Sequence, residues 1–436
     1  MTIPASRPDM APVVVIGAGV GGLAAAQALQ AAGAGTIVLE SSARPGGRIV
    51  TMERAGDRVD VGAQILHSSY RCASALMTGL DLRQHWRPVQ GESCYSLQGS
   101  DPWIGSDAYV SPMGLRANLA LYGLLLRVTL RPPPLHEIRD ATALDAVSVA
   151  DQFRGSDGML SKCLLPLLCS AMNVATPRYT SMQHLLHILR ITAFTHRYAL
   201  PQGLEEFPRR LAGRVSVRYE SPVASLLEED GRVAGVILEG SGEVVRARHV
   251  IMAVAPHQAS ALLPATLAAQ KQFFESVIKT PQALPVLFLD RPLPGNVISY
   301  MRDPRGDPCF WFAVDNTRKA PGMVKSGKSI LTLWTQYPHC LELERLTDTE
   351  VTALALRELQ VLVPAARAEW VEHVAIQRHE FSHPPYAPGS YRAVLEFMRD
   401  AATIKGLSFV GDIFGGAYME ASLRSVSQAV KRALTA

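Results

Sequence analysis

The chain has 436 residues, 48% of them hydrophobic and 19% charged, with a formal net charge of +4. Such a length exceeds one ordinary core, so two domains with sizeable buried interiors are expected. The small charge and the absence of any run of five like charges argue against a nucleic-acid partner, and six scattered cysteines without CxxC spacing argue against zinc or a disulfide framework.

The first twelve residues carry three prolines and no apolar h-region, which reads as no secretory signal; with cysteines that suit reduced thiols, this gives a cytoplasmic expectation. Pro12 to Ile16 is a β-branched run ending in glycine, an alanine-rich segment follows to Ala32, and Thr36 to Glu40 is a second buried strand. This reads as a βαβ unit whose parallel strands lack polar alternation. Ala11 to Val38 is nearly all apolar, yet its glycine pattern argues against a membrane span. Residues 71–200 read as a mainly helical insertion, with helical spacing in Leu115 to Leu130 and in Leu160 to Met172 around a break at Pro132-Pro133-Pro134. The apolar stretch Ala117 to Leu130, interrupted by Arg127, is expected to be a buried helix, the alternative being a monotopic membrane-contact helix.

Strands are expected again at 215–219, 223–227 and 233–238, with Glu229-Asp230-Gly231 as a hairpin turn, and at 248–256. Between Pro285 and Glu380, strands at 286–289, 310–314 and 330–334 accompany a helix over 348–362. Leu407 to Asp412 and Met419 to Leu434 close the chain as strand, loop and helix. The expected fold class is α/β: a discontinuous Rossmann-like domain of residues 1–70, 201–284 and 385–436, and a second mixed sheet-plus-helix substrate domain of residues 71–200 and 285–384.

Gly17-Ala18-Gly19-Val20-Gly21-Gly22 fits G-x-G-x-x-G between strand and helix, with Glu40 ending the next strand. Gly17 permits the tight turn, Gly19 lets backbone approach a pyrophosphate, and Gly22 lets helix and strand pack closely. The helix N-terminus offers free N–H groups to phosphate. Glu40 would accept hydrogen bonds from ribose hydroxyls and repel a 2′-phosphate, which disfavours NADP. A second glycine run, Arg44-Pro45-Gly46-Gly47-Arg48, follows the acid; its arginines can offset pyrophosphate charge.

With that run, E-x-x-x-R-x-G-G-R from Glu40 to Arg48, the sequence resembles the flavin amine oxidase superfamily, which includes monoamine and polyamine oxidases, protoporphyrinogen oxidase and phytoene desaturase-type enzymes. The resemblance continues in Gly62-Ala63-Gln64 with His67, similar to the family segment that lies under the flavin ring. Leu200 to Leu204 and Glu220 to Val223 are similar to a P-x-G-G stretch and an adenine-contacting strand, which makes Val223 a cofactor contact. Gly411-Asp412 and Gly416 to Glu420 resemble the closing segment, in which Asp412 contacts the ribityl chain and the last helix, with Met419 and Ser422, points its N-terminus at the flavin. The resemblance thus implies FAD, a small-molecule substrate and oxygen as the electron acceptor.

Three departures shape the expectations. The family's E-G-A-x-x-S-G reads Glu420-Ala421-Ser422-Leu423-Arg424-Ser425-Val426 here, so both glycines are replaced. Where covalent members place a cysteine before tyrosine, this chain has Gly389-Ser390-Tyr391, which predicts non-covalent FAD. The family's lysine that holds a water near flavin N5 would fall at Leu284 or Pro285, and Lys279 is too early to replace it; simple amine oxidation is weakened accordingly. Tyr391 and Tyr418 match the aromatic pair of monoamine oxidases, or are ordinary core tyrosines. His67 is a hydrogen-bonding or proton-handling group near N5, or a histidine at the domain edge. His184 with His187 and His379 with His383 lack an acid in motif spacing, so no metal is expected. Phe310, Trp311, Phe312 and Trp334 are candidates for the pocket wall or for core.

The expected reaction is hydride transfer to flavin from a C–H next to nitrogen, in an amine or nitrogen heterocycle. Dehydrogenation of a ring or polyene is the alternative, and a polyamine is disfavoured because the substrate block lacks an acidic cluster. A flavin-binding scaffold without turnover and an NAD-linked dehydrogenase are the rival classes.

Overall fold

A computed structural model describes residues 11–106, 114–156, 158–173, 175–193 and 195–435. Its organising element is a five-stranded parallel sheet in the order 217–218, 36–39, 13–16, 249–252, 407–409. Val13–Ile16 and His249–Met252 are buried throughout, because helices or a second sheet cover both faces; this explains their lack of alternation. All five strands come from the three segments expected to build the Rossmann-like unit, and their carboxyl ends open on one cavity through Ile16, Leu39 and Val410. Helix Val20–Ala31 covers one face and is itself covered by the last helix, Tyr418–Thr435, whose Leu423, Val426 and Ala429 share its core. On the other face lies an antiparallel sheet of 223–229, 232–238 and 244–246. Its first hairpin turns at Asp230 and Gly231, both at positive φ (49° and 71°), the left-handed pair that a two-residue turn between twisted strands requires.

The second unit is a seven-stranded sheet in the order 371–379, 282–289, 330–334, 312–315, 297–302, 92–96, 103–106. It is antiparallel except where 297–302 runs parallel to 92–96. Helix Asp348–Leu362 is started by a capping box of Thr347 and Glu350 and lays Val351, Ala355, Leu359 and Leu362 on one face of this sheet. The other face looks into the cavity: on strand Phe312–Asp315, Phe312 and Val314 line it while Ala313 packs into the core, as the two-residue period dictates.

The block 71–200 is less helical than expected. Helices at 71–78, 115–130, 165–173 and 182–193 are present, but strands 92–96 and 103–106 extend the substrate-side sheet and 87–88 and 197–199 form a smaller one. Cys94 packs with Leu287 and Tyr300 in a core assembled from distant sequence, which local helical spacing cannot reveal. The helix Leu115–Leu130 is only half as expected: Ala117, Leu121, Leu124 and Val128 are buried, and the opposite face is not.

Candidate functional site

A cavity of about 1590 Å³ runs between the two units, and nearly every residue expected to contact the cofactor lies on its wall. Gly17, Gly19, Glu40, Arg44, Gly46, Gly47, Arg48, Gly62, Ala63, Gln64, Val223, Gly411, Asp412, Met419 and Ser422 are all there; Gly22 is not. Gly22 sits behind the wall, where an added Cβ would stand 2.1 Å from the Gly17 carbonyl oxygen. Its role is therefore helix-to-strand packing, whereas a Cβ on Gly19 would meet no protein atom within 4 Å and would project into open space. The helix that begins at Val20 has no side-chain cap and no acid in its first turn, so its leading N–H groups are left for an anion.

Glu40 is anchored at both carboxylate oxygens. One carboxylate oxygen accepts the Ala18 N–H at 2.7 Å, and the other accepts the Ser42 N–H and hydroxyl at 2.9 and 2.8 Å. Arg44 donates to the carbonyls of Pro45, Ile49 and Gly47, bracing the second glycine loop, which bridges to the first through Gly19 and Gly46. Arg48 makes a bidentate pair with Asp412 at 2.8 and 3.0 Å and donates to the Ser382 carbonyl at 2.6 Å. Residues 364 positions apart are thus locked together, closing the chain's two ends around the cavity. Gly62 differs from expectation in detail: an added Cβ would lie 1.9 Å from the Arg48 carbonyl oxygen, so this glycine admits backbone from the arginine loop.

The closing segment is tightly built. The Tyr386 hydroxyl donates to the Asp412 or Ile413 carbonyl and accepts the Gly416 and Ala417 N–H groups, all within 3.2 Å. Ala417 and Tyr418 then take φ of 75° and 73°, a left-handed conformation that costs a non-glycine residue of order 1–3 kcal/mol. That strain turns the chain so that Tyr418, Met419 and Ser422 face the cavity. Glu420, fully buried, accepts the Cys72 and Ala73 N–H groups at 2.8 and 3.0 Å and so caps the helix Arg71–Thr78. The two lost glycines are absorbed by packing, since Ala421 and Val426 are both core residues.

Of the two tyrosines expected to face the flavin, Tyr418 lies on the wall and Tyr391 does not. The Tyr391 hydroxyl bonds His187 Nδ1 at 2.9 Å and His184 Nδ1 at 3.1 Å in a buried cluster. His187 Nε2 accepts the His136 backbone N–H, so Nδ1 carries the proton and donates to Tyr391, which donates onward to His184. Burial, followed by the Arg190 charge, lowers His187 to about 4, so the chain is neutral at ordinary pH. Tyr391→Phe is expected to cost about 1–3 kcal/mol of stability by orphaning buried ring nitrogens, while Tyr418→Ala should cut turnover with flavin still bound. Thermal melts and steady-state rates of both variants check this; a turnover collapse confined to Tyr391→Phe would reverse the assignment.

His67 lies on the wall, its Nδ1 2.9 Å from Thr195 Oγ1. Since Thr195 donates to the Ile191 carbonyl, it accepts from His67 Nδ1–H and leaves Nε2 with a free lone pair. Burial, helped by Arg197, lowers His67 to about 4, so this ring is a neutral hydrogen-bonding group. Trp311, Phe312 and Trp334 also face the cavity, but Phe310 is core. Among the described residues no group of three metal-ligating side chains occurs. His379 Nε2 instead bonds the Val61 carbonyl at 2.7 Å.

The residue that sequence reasoning missed is Lys319. It is 1% exposed, on the wall, and its Nζ donates to Gln64 Oε1 at 2.9 Å and Asn316 Oδ1 at 2.8 Å. Burial lowers its pKa to about 8, and the Asp60 carboxylate opposes that fall. Leu284, where a family lysine was expected, is buried in strand Gln282–Leu289, and Lys279 pairs with Glu344 away from the wall. Only the sequence Asp315-Asn316-Thr317-Arg318-Lys319 after a strand, a short capped turn, hinted at it.

Residues 20–434 match the family model for flavin containing amine oxidoreductases. The chain belongs to that family. This flavin amine oxidoreductase shares its fold with solved structures: a protein from Exiguobacterium sp. assigned as a protoporphyrinogen oxidase (TM-score 0.77, 18% identity, 98% of this chain and 99% of that one). Cyclohexylamine oxidase from Brevibacterium oxydans (TM-score 0.76, 18% identity, 98% and 99%) and putrescine oxidase bound to putrescine (TM-score 0.74, 19% identity, 98% and 98%) are similar to it in the same way. A lysine-specific histone demethylase 1 homolog 2 from Oryza sativa is 45% identical over 71 residues, which are 14% of this chain and only 9% of that protein. A flavin fits the wall: open space over Gly19, uncapped N–H groups at Val20 and a bidentate Arg48–Asp412 latch suit a long, phosphate-bearing cofactor.

Proposed function

We propose that this oxidoreductase binds FAD non-covalently and removes hydride from a C–H beside nitrogen in an apolar amine or nitrogen heterocycle. The carrying observation is one continuous cavity that joins the Glu40–Gly19–Arg48 wall to a second stretch formed by Leu164, Leu167, Leu189 and Trp311. When bound there, FAD supplies the two-electron acceptor, and molecular oxygen is the proposed reoxidant, yielding hydrogen peroxide. The residues provide the rest. Glu40 holds ribose hydroxyls, the N–H groups after Gly19 offset phosphate charge, Arg48 pins Asp412 on the wall, and the apolar wall excludes water and orients the substrate carbon. Lys319 fixes Gln64 and brings positive charge to the wall, while Tyr418 offers a ring face. No cysteine stands on the cavity wall among the described residues, which supports non-covalent binding.

The carboxylates on the wall are Glu40, Glu239, Glu380 and Asp412, and none accompanies the apolar stretch. A polycationic amine would therefore find no counter-charge beside it, and this observation favours the second reading, CH–CH dehydrogenation of a ring or polyene. An anaerobic titration of the purified yellow protein with apolar amines, pyrrolines and porphyrinogens separates the two by which compound bleaches the flavin band. Bleaching by none would leave a flavin-binding scaffold. Acid precipitation is expected to release all the colour as FAD; colour retained in the pellet would contradict non-covalent binding.

A further inference from the structure

The helix Leu115–Leu130 has two apolar faces. Leu121 and Leu125 line the cavity, and Ala117, Leu124 and Val128 pack into the helical core beside it. On the opposite side Leu115, Leu119, Tyr122, Leu126 and Leu130 are 75, 59, 44, 58 and 72% exposed. Their spacing of three and four residues gathers them into one stripe along the helix, at a width that a solvated helix has no reason to keep apolar. Arg116, Arg127 and Arg131, all exposed, border the stripe on one side, and exposed Lys162 lies on the turn Leu160–Leu164 packed against the helix. No aspartate or glutamate occurs from Gly114 to Leu135, and the next acid, Glu137, pairs with Arg139. Among the described residues no helix is long and apolar enough to cross a membrane.

We propose that this face docks on an anionic lipid bilayer, the helix lying along the surface with its leucines in the acyl boundary and its arginines at the headgroups. Charge decides between a bilayer and a second copy of the chain: an apolar stripe with a purely basic border complements anionic headgroups, whereas two copies would set arginine borders of like charge near one another.

The test uses the flavin-loaded full chain and vesicles of phosphatidylcholine with or without phosphatidylglycerol, scored by co-flotation. Binding is expected only with the anionic lipid and should fall at high salt. Each of R116Q, R127Q and R131Q should weaken it about fivefold, and the exposed double change L119D/L126D by at least about a hundredfold, with flavin absorbance unchanged in every variant. Failure of the wild-type protein to bind anionic vesicles, or equal binding to phosphatidylcholine alone, would overturn the proposal. So would light scattering that finds a dimer converted to monomer by L119D/L126D without any vesicle binding, since the stripe would then be a contact between copies.

Discussion

Gly22→Ala is expected to strip the protein of much of its stability, whereas Gly19→Ala should leave it folded but with a weaker hold on flavin. The two glycines are three residues apart in one motif, yet they face different things. A methyl group on Gly22 would be driven to 2.1 Å from the Gly17 carbonyl oxygen and 3.1 Å from the Ala253 Cβ, both in the packed interface between helix and sheet. Backbone cannot yield there cheaply, because strand Val13–Ile16 is the middle of the parallel sheet. Overpacking of this kind costs of order 3 kcal/mol and displaces the helix whose N-terminus opens on the cavity. A methyl on Gly19 meets no protein atom, and its φ of −67° suits alanine, so stability without flavin should change by less than about 1 kcal/mol. Its effect falls on the ligand: a Cβ in the space needed for close backbone approach should weaken flavin binding by roughly tenfold to a hundredfold. Melting curves of the flavin-free proteins and flavin titration separate these outcomes. Tight flavin binding by Gly19→Ala would mean that the diphosphate does not lie against this loop.

Lys319→Met is expected to slow flavin reduction by roughly a hundredfold while flavin stays bound. The side chain is fully enclosed, so its charge is screened little by water, and of its two hydrogen bonds one holds Gln64 on the wall and the other ties the ammonium to Asn316. With flavin bound in this cavity, the Lys319 ammonium would offset the negative charge that reduction brings to the wall. Because burial lowers Lys319 to about 8, the side chain is charged below that pH and loses its proton above it. The wild-type reduction rate, measured with a substrate that does not titrate in this range, should therefore fall as pH rises through about 8. Lys319→Met should lack that inflection, and Lys319→Arg should move it out of range while keeping part of the rate. His67 adds no inflection between pH 5 and 9, since it is already neutral with a pKa of about 4. A Lys319→Met profile that kept the step near pH 8 would assign it to another group. The neighbouring carboxylate matters to the same balance: Asp60 is the buried charge that opposes the fall in the lysine's pKa, so Asp60→Asn should shift the step to lower pH.

The sequence by itself determined the parallel-sheet half of this protein. Gly17 to Gly22, Glu40, Arg44 to Arg48 and Gly411-Asp412 were legible because each does its work through local geometry: a turn, a helix start, a strand end, a close approach of backbone. Such requirements leave fixed spacings, and the hairpin at Asp230-Gly231 was readable for the same reason. The tertiary structure alone decided the half built on the seven-stranded sheet. Strands 92–96 and 103–106 belong to a sheet whose other members begin almost two hundred residues later, so no window of sequence contains their partners. Tyr391 and Tyr418 both matched the family's aromatic pair, and only packing separated them, one against His184 and His187, the other onto the wall. Lys319 escaped notice because its meaning lies in burial beside Gln64 and Asp60, residues some 255 positions away, and a lysine's environment is not written in its neighbours along the chain.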